Sequence, residues 1–290
     1  MACGGSILSD RWVLTASHCV MDDEGKQLSA RQIFVSVGGI KNLTSVVRVQ
    51  RVVSNKQYDP NTVRNDIALL DVGRRTIKFN EYTKPVKIST ALLKPGDQVS
   101  ACGWGMTDQL NRKSTAGTLQ KTTLSLGPLA FCQEGNPYFS TNAGPTLCTA
   151  KTSGGTCMGD SGGPLLVKDT DGVGSGPFKI IGLTSFGGIH GEPISGALCV
   201  ADNISTYYTR VAYYLSWLVD NTGLSRNYLL GNGPDSESSG AAGTRKPSIA
   251  EKNTATAARF GLSGDGLLLW KLAMSAIGVG ILQAIFAQLH

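Results

Sequence analysis

Histidine is scarce in this chain, with three in 290 residues, so chemistry that needs an imidazole has few side chains to draw on. No C-x-x-C pair occurs, which removes the usual zinc patterns and leaves no metal site to propose. Gly38-Gly39, Gly154-Gly155 and Gly187-Gly188 lack the strand–helix context of a dinucleotide fingerprint, and no phosphate-binding loop is present. No cofactor is therefore expected. The positive excess is a modest +6, spread without any basic stripe interleaved with aromatics, so nucleic acid is not expected as a partner. An opening signal peptide is also lacking, because Met1-Ala2-Cys3 runs directly into Gly4-Gly5-Ser6 with no basic flank and no adequate apolar core. What remains is globular in composition: 41% hydrophobic and 17% charged, and long enough for one large domain or two small ones.

Up to about residue 222 the chain alternates short apolar segments with Gly and Pro punctuation. Segments 31–38, 45–53, 66–72, 98–103, 163–168 and 179–186 read as strands of an all-β barrel or sandwich. Tyr214-Leu215-Ser216-Trp217-Leu218-Val219 has helical spacing, as a closing helix would. From 223 to 266 the composition turns to Ser, Gly, Ala and Thr and reads as a flexible stalk. Residues 267–289 form an apolar tail broken only by Lys271, Gln283 and Gln288, with His290 after it. Three readings of the tail stay open: a signal for a glycolipid (GPI) anchor following the small residues Asn253-Thr254-Ala255, a membrane span, or a tail with no membrane role. The first two make a membrane a partner. Seven cysteines and two sequons, Asn42-Leu43-Thr44 and Asn203-Ile204-Ser205, point to an oxidising, secretory route with glycosylation at Asn42 and Asn203.

Three segments carry chemistry. Gly159-Asp160-Ser161-Gly162-Gly163-Pro164 sets a serine among glycines, which alone is most often a turn. Leu14-Thr15-Ala16-Ser17-His18-Cys19 supplies one of the few histidines, and Asn65-Asp66-Ile67-Ala68-Leu69-Leu70 places a carboxylate at the head of an apolar strand. In the order His18, Asp66, Ser161 they resemble the trypsin/chymotrypsin family of serine endopeptidases across roughly residues 1–222. His190, in a Gly- and Pro-containing loop, has no such company and is expected at the surface, and His290 has no evident role.

The resemblance implies two packed six-stranded antiparallel β-barrels, about 1–90 and 91–222, with the first incomplete and a helix closing the domain. It makes Ser161 the nucleophile, His18 the general base and acid, and Asp66 the group that orients the imidazole. The backbone amides of Gly159 and Ser161 become the oxyanion hole. Ser185-Phe186-Gly187 resembles the segment that pairs with a substrate backbone, with Phe186 where relatives commonly carry Trp, and Ser185 is expected to hydrogen-bond near Asp66. Trypsins hold an aspartate six residues before the nucleophile; this chain has Gly155, and Thr206 stands where glycine is common. A preference for small to medium apolar side chains follows, unless Asp202 supplies a charge from another wall. The loop from 188 to 198 exceeds the short family connection and is expected to reshape binding upstream of the cleaved bond.

The same resemblance pairs Cys3 with Cys19, Cys132 with Cys148 and Cys157 with Cys199, leaving Cys102 as a buried free thiol or a partner to something outside this chain. Active relatives begin some 25 residues before the position of Cys3, with a freed ammonium that pairs with the aspartate matching Asp160. The present start at Met1 leaves Asp160 without an evident cation, as in an incomplete protein. The expected partners are protein or peptide substrates and protease inhibitors, at the cell surface or outside the cell. A protease-like binding or inhibitor module without turnover is the competing reading, and an esterase using the same three side chains is another.

Overall fold

The computed structural model describes residues 2–39, 41, 45–108, 111, 114–150, 154–170, 176–191, 199, 204–232 and the backbone of 257–262. Six strands form a closed antiparallel barrel: β7 (Gln98–Gly103), β8 (Gln120–Leu126), β9 (Thr146–Ala150), β10 (Pro164–Lys168), β11 (Phe178–Ile189) and β12 (Ile204–Arg210), in the order β10-β11-β12-β9-β8-β7. Leu124, Leu126, Leu147, Leu165, Ile181 and Tyr208 fill its interior.

A second sheet is built from β1 (Cys3–Ile7), β2 (Trp12–Thr15), β3 (Ile33–Val37), β4 (Ser45–Arg48), β5 (Arg51–Ser54), β6 (Ala68–Asp71) and β13 (Ala257–Leu262), in the order β4-β3-β13-β1-β2-β6-β5. Its end strands β4 and β5 are consecutive, separated only by Val49 and Gln50, so the sheet curls back toward itself as an incomplete barrel. The kink lies where the chain changes partner: the Val49 N–H donates to Ile33, and the Gln50 N–H donates to Asp71. A continuous run at 45–53 therefore becomes two strands. In β3 the alternation follows the expected period of two, with Ile33, Val35 and Val37 buried and Phe34 and Ser36 half-buried.

Strands β2 and β6 are buried along their whole length because each separates two cores. Val13, Ala68 and Leu70 face the interior of the first sheet. Trp12, Leu14 and Leu69 face the junction of the two halves, where they meet Leu166, Ile180, Leu183, Leu215 and Leu218. Helix α1 (Leu129–Gly135) precedes β9, and α2 (Leu215–Thr222) ends at Gly223 in the left-handed region, φ 72°. Here the structure differs from the sequence reading of 223–266 as stalk throughout. Helix α3 (Arg226–Leu230) is capped by Ser225 and buries Tyr228 and Leu229, while β13 lies within the first sheet. The Tyr228 hydroxyl donates to the Leu8 carbonyl at 3.1 Å, pinning α3 to the junction. The remainder of the stalk and the apolar tail at 267–289 lie outside the described residues. Among the described residues no helix is long and apolar enough to cross a membrane.

Candidate active site

His18 follows β2 across Ala16-Ser17 and opens a short 3₁₀ turn, His18–Val20. The turn is held from both sides. The Ser17 hydroxyl donates to the Ile67 carbonyl at 2.7 Å, and the Cys3–Cys19 disulfide ties it to β1. Asp66 sits just before β6, after Asn65, which adopts φ 58°. Asparagine tolerates that left-handed backbone better than most residues. Its side chain is used twice, accepting from Tyr214 Oη at 3.0 Å and donating to the Gln57 carbonyl at 2.8 Å.

These constraints bring Asp66, 0% exposed, against His18. The His18 backbone N–H donates to Asp66 Oδ1 at 2.9 Å, and His18 Nδ1 lies 2.8 Å from Asp66 Oδ2. Ser185 Oγ donates to the same Oδ2 at 2.5 Å, as the sequence suggested. Burial opposes charge on both groups, but each supplies the other's counter-charge. The Asp66 carboxyl is held below its ordinary range by His18 and Ser185, and the His18 imidazole is held above its ordinary 6.5 by Asp66. A carboxylate at Nδ1 keeps the proton there and leaves the Nε2 lone pair free. Nε2 lies 3.7 Å from Cys19 Sγ. Cys3, His18 and Cys19 are close enough to suggest a metal cluster, but both sulfurs are committed to the disulfide and cannot act as thiolate ligands.

Ser161 lies on a tight loop whose other amides are used: Asp160 N–H donates to Cys157, Gly163 N–H to Asp160, and Gly162 N–H to Thr184. The amides of Gly159 and Ser161, and the Ser161 hydroxyl, make no hydrogen bond among the described residues. Gly159 adopts φ 96°, a conformation that favours glycine. The loop is locked onto the first sheet. The Gly4 N–H donates to the Ser161 carbonyl at 2.7 Å, and a Cβ on Gly4 would come within 2.7 Å of Gly163 Cα.

Asp160 is half-buried in the serine loop. Its carboxylate accepts from the Gly105 N–H at 2.9 Å and the Cys157 N–H at 3.0 Å, and no cation pairs with it among the described residues. Burial outweighs those two bonds and raises its pKa. It faces a cavity of about 560 Å³ lined by Gly103, Gly105, Lys121, Gly155 and Cys102. Cys102 is a buried free thiol, pushed up to about 11 by that burial.

A bulge between Thr184 and Phe186 takes Ser185 out of the β11–β12 register, and the Ser185 hydroxyl reaches Asp66. Phe186 stacks on Tyr207 with ring centroids 4.7 Å apart, and Gly187 pairs with Thr206 across the ladder. Behind Thr206 lies a hydroxyl group of three residues absent from the sequence reading. Tyr208 Oη is 3.5 Å from Thr156 Oγ1, and Thr149 Oγ1 donates to the Thr206 carbonyl. Their signal was only the alternation Thr206-Tyr207-Tyr208-Thr209, which does not by itself say which hydroxyls converge.

His190 is corrected: it is 8% exposed, not a surface residue, because its ring stacks on Phe131 of α1 at 4.1 Å. The disulfides Cys3–Cys19, Cys132–Cys148 and Cys157–Cys199 form as the resemblance implied. Asn42, Asn203, Asp202 and most of the 188–198 loop lie outside the described residues.

A buried carboxylate bonded to one imidazole nitrogen, with a serine loop carrying two unused amides, is the equipment of acyl transfer. The chain is 30% identical over 239 residues to phenoloxidase-activating factor 3 of Holotrichia diomphalia, covering 76% of this chain. It spans 63% of that relative's length. Residues 1–218 match the family description "Trypsin", and this chain belongs to the trypsin family of serine proteases.

Proposed function

We propose that the chain is a serine endopeptidase in which His18, Asp66 and Ser161 form the catalytic triad. The observation that carries this reading is the 2.8 Å contact between His18 Nδ1 and the fully buried Asp66. His18 Nε2 takes the Ser161 proton as Oγ attacks the scissile carbonyl, and Asp66 stabilises the resulting imidazolium. The tetrahedral oxyanion accepts from the amides of Gly159 and Ser161, each such donor being worth about 3–4 kcal/mol. His18 then protonates the leaving amine, and water repeats the sequence on the acyl-enzyme. Ser161 and His18 close on each other when substrate binds, since catalytic hydrogen bonds in ligand-free sites are commonly long.

The pocket reading rests on Gly155 and Thr206. With no carboxylate at 155, a substrate cation would be desolvated without a partner, and a side chain at Thr206, where relatives commonly carry glycine, would shorten the specificity pocket. Small to medium apolar residues are the preferred side chains, and Phe186 and Gly187 offer the edge that pairs with substrate. Asp160 is the site for an ammonium group, whose arrival would neutralise a half-buried carboxylate beside the oxyanion amides. Glycosylation at Asn42 and Asn203, an extracellular or cell-surface location and membrane attachment through 267–289 complete the reading.

The test is fluorophosphonate labelling of protein isolated with its mature N-terminus, followed by a matched peptide panel with Ala, Leu, Phe or Arg before the cleaved bond. Labelling of wild type but not of Ser161→Ala, with cleavage after Ala or Leu, is expected. Absence of labelling would leave the non-catalytic binding module, and a clear Arg preference would overturn the pocket reading.

A further inference from the structure

Arginines scattered along the sequence converge at one end of the first sheet. Strands β2, β6 and β5 are in register at Trp12, Asp71 and Arg51, and Arg48 ends β4 just before the kink that leads into β5. Arg11, beside Trp12, makes a two-pronged ion pair with Asp71: its Nε donates to Oδ1 at 2.8 Å and its Nη2 to Oδ2 at 2.7 Å. Arg51 Nη2 donates to the same Oδ2 at 3.4 Å. Both guanidiniums lie over the Trp12 ring, 5.1 and 5.3 Å from its centroid. The turn after β6 brings two more arginines to this end. The Val72 and Ile77 N–H groups donate to the carbonyls of Arg11 and Asp10, and the Arg75 N–H donates to Asp10 Oδ2 at 3.0 Å. Gly73, beside Arg74, packs on the Gln50 side chain at the kink. Arg48, Arg51, Arg74 and Arg75 are exposed.

We infer that this end of the first sheet is a docking surface for a sulfated polysaccharide. The cations that gather here are arginines, whose planar fork matches the oxygens of a sulfate group. The carboxylates among them are already engaged, Asp71 by Arg11 and the Gly73 N–H, and Asp10 by the Arg75 N–H. Because Asp71 gives its two-pronged bond to Arg11, the Arg51 guanidinium, on a side chain 55% exposed, keeps donors for a ligand. Trp12 and Asp71 hold that guanidinium in place beforehand, which lowers the ordering cost of binding. Arg75 is set by its backbone, which takes the left-handed φ of 55°. The positions follow one another across the strand ends, Arg48, Arg51, Arg11 and then the turn at Arg74-Arg75, as a linear polyanion requires. Trp12 is 1% exposed beneath the guanidiniums, so it can neither stack on a nucleic-acid base nor enter a bilayer. The opposite ends of β2 and β6 lead to His18 and Asp66. Along β6 the arginine end and the catalytic end are separated by roughly 15 Å of extended chain, so the polymer docks clear of the cleft. The surface does not depend on the endopeptidase reading.

The test is titration of the full-length chain with heparin oligosaccharides at about 0.15 M salt, where long-range attraction is already screened. Wild type should bind, and the affinity should fall as salt is raised. Arg48→Ala/Arg51→Ala/Arg74→Ala should weaken binding about tenfold. Lys26→Ala/Lys56→Ala/Lys94→Ala, which removes the same charge from exposed positions elsewhere, should change it by less than about twofold. No binding by wild type, or an equal loss in the two variants, overturns the inference. Phosphatidylserine vesicles and a single-stranded oligonucleotide serve as competing probes. Tighter binding of either, lost in the arginine variant, overturns the polysaccharide in favour of that class of partner. In case the arginine variant fails to fold, hydrogen exchange of wild type should slow at 48–51 and 72–77 on adding heparin, and protection confined to other segments overturns the placement. Heparin should leave the rate of fluorophosphonate labelling unchanged; competition with the label would place it in the cleft and overturn the separation of the two ends. If wild type itself does not label, the endopeptidase reading fails while the binding result stands.

Discussion

Asp66 and His18 together decide how activity should follow pH. The serine proton can pass only to neutral imidazole, so kcat/KM should rise with pH as His18 loses its proton. Asp66 favours the charged form, which places that rising limb above the ordinary 6.5. Replacing Asp66 by Asn removes the opposing charge while burial remains, so the limb should move to lower pH. The rate should fall by about 10⁴, because the amide no longer fixes the productive tautomer. A pH–rate profile of wild type and Asp66→Asn checks both expectations; an unshifted limb would show that His18 is not the titrating base. The same pair bears on stability with a defined sign. A His pKa raised in the fold contributes stability at pH below 6.5 and loses it as pH climbs through the folded value. Asp66 acts oppositely, since a depressed carboxyl contributes above its ordinary 3.8 and loses that contribution on acidification.

Strand β1 is the element of the first sheet that holds the serine loop. A Cβ at Gly4 would lie 2.7 Å from Gly163 Cα and 2.9 Å from its nitrogen, both backbone atoms that cannot swing aside. Gly4→Ala should therefore destabilise the domain by about 1–3 kcal/mol, the usual cost of overpacking. It should also slow fluorophosphonate labelling, because the strain falls on the residue that holds the Ser161 carbonyl. Thermal unfolding with parallel labelling measures both; a normal labelling rate in a destabilised variant would separate the strand from the site. Much at this scale was legible in the sequence. Segment 98–103 is β7 to the residue, and the His18 and Asp66 motifs meet, as their chemically specific residue types suggested. Long-range partner choice was not legible. The kink at Val49-Gln50, the stacking of His190 on Phe131 and the convergence of Thr149, Thr156 and Tyr208 depend on neighbours distant in the chain. The reading of 223–266 as stalk throughout missed α3 for that reason: its Tyr228 and Leu229 are buried against the junction by residues distant in the chain.

At the scale of the whole molecule, the readings of the apolar run 267–289 divide on what the mature protein retains. A glycolipid-anchor signal is cut at small residues, here Asn253-Thr254-Ala255, and everything after them is released, β13 at Ala257–Leu262 included. A membrane span keeps 267–289, and with it Lys271, Gln283 and Gln288 inside the apolar run. Peptide mapping of the C-terminus of protein from its natural source separates the two. A mature C-terminus at 253–255, with release from membranes by a phosphatidylinositol-specific phospholipase, is the outcome expected of the anchor signal. Recovery of peptides from 267–289, with no release by the phospholipase, would overturn that reading in favour of a retained tail.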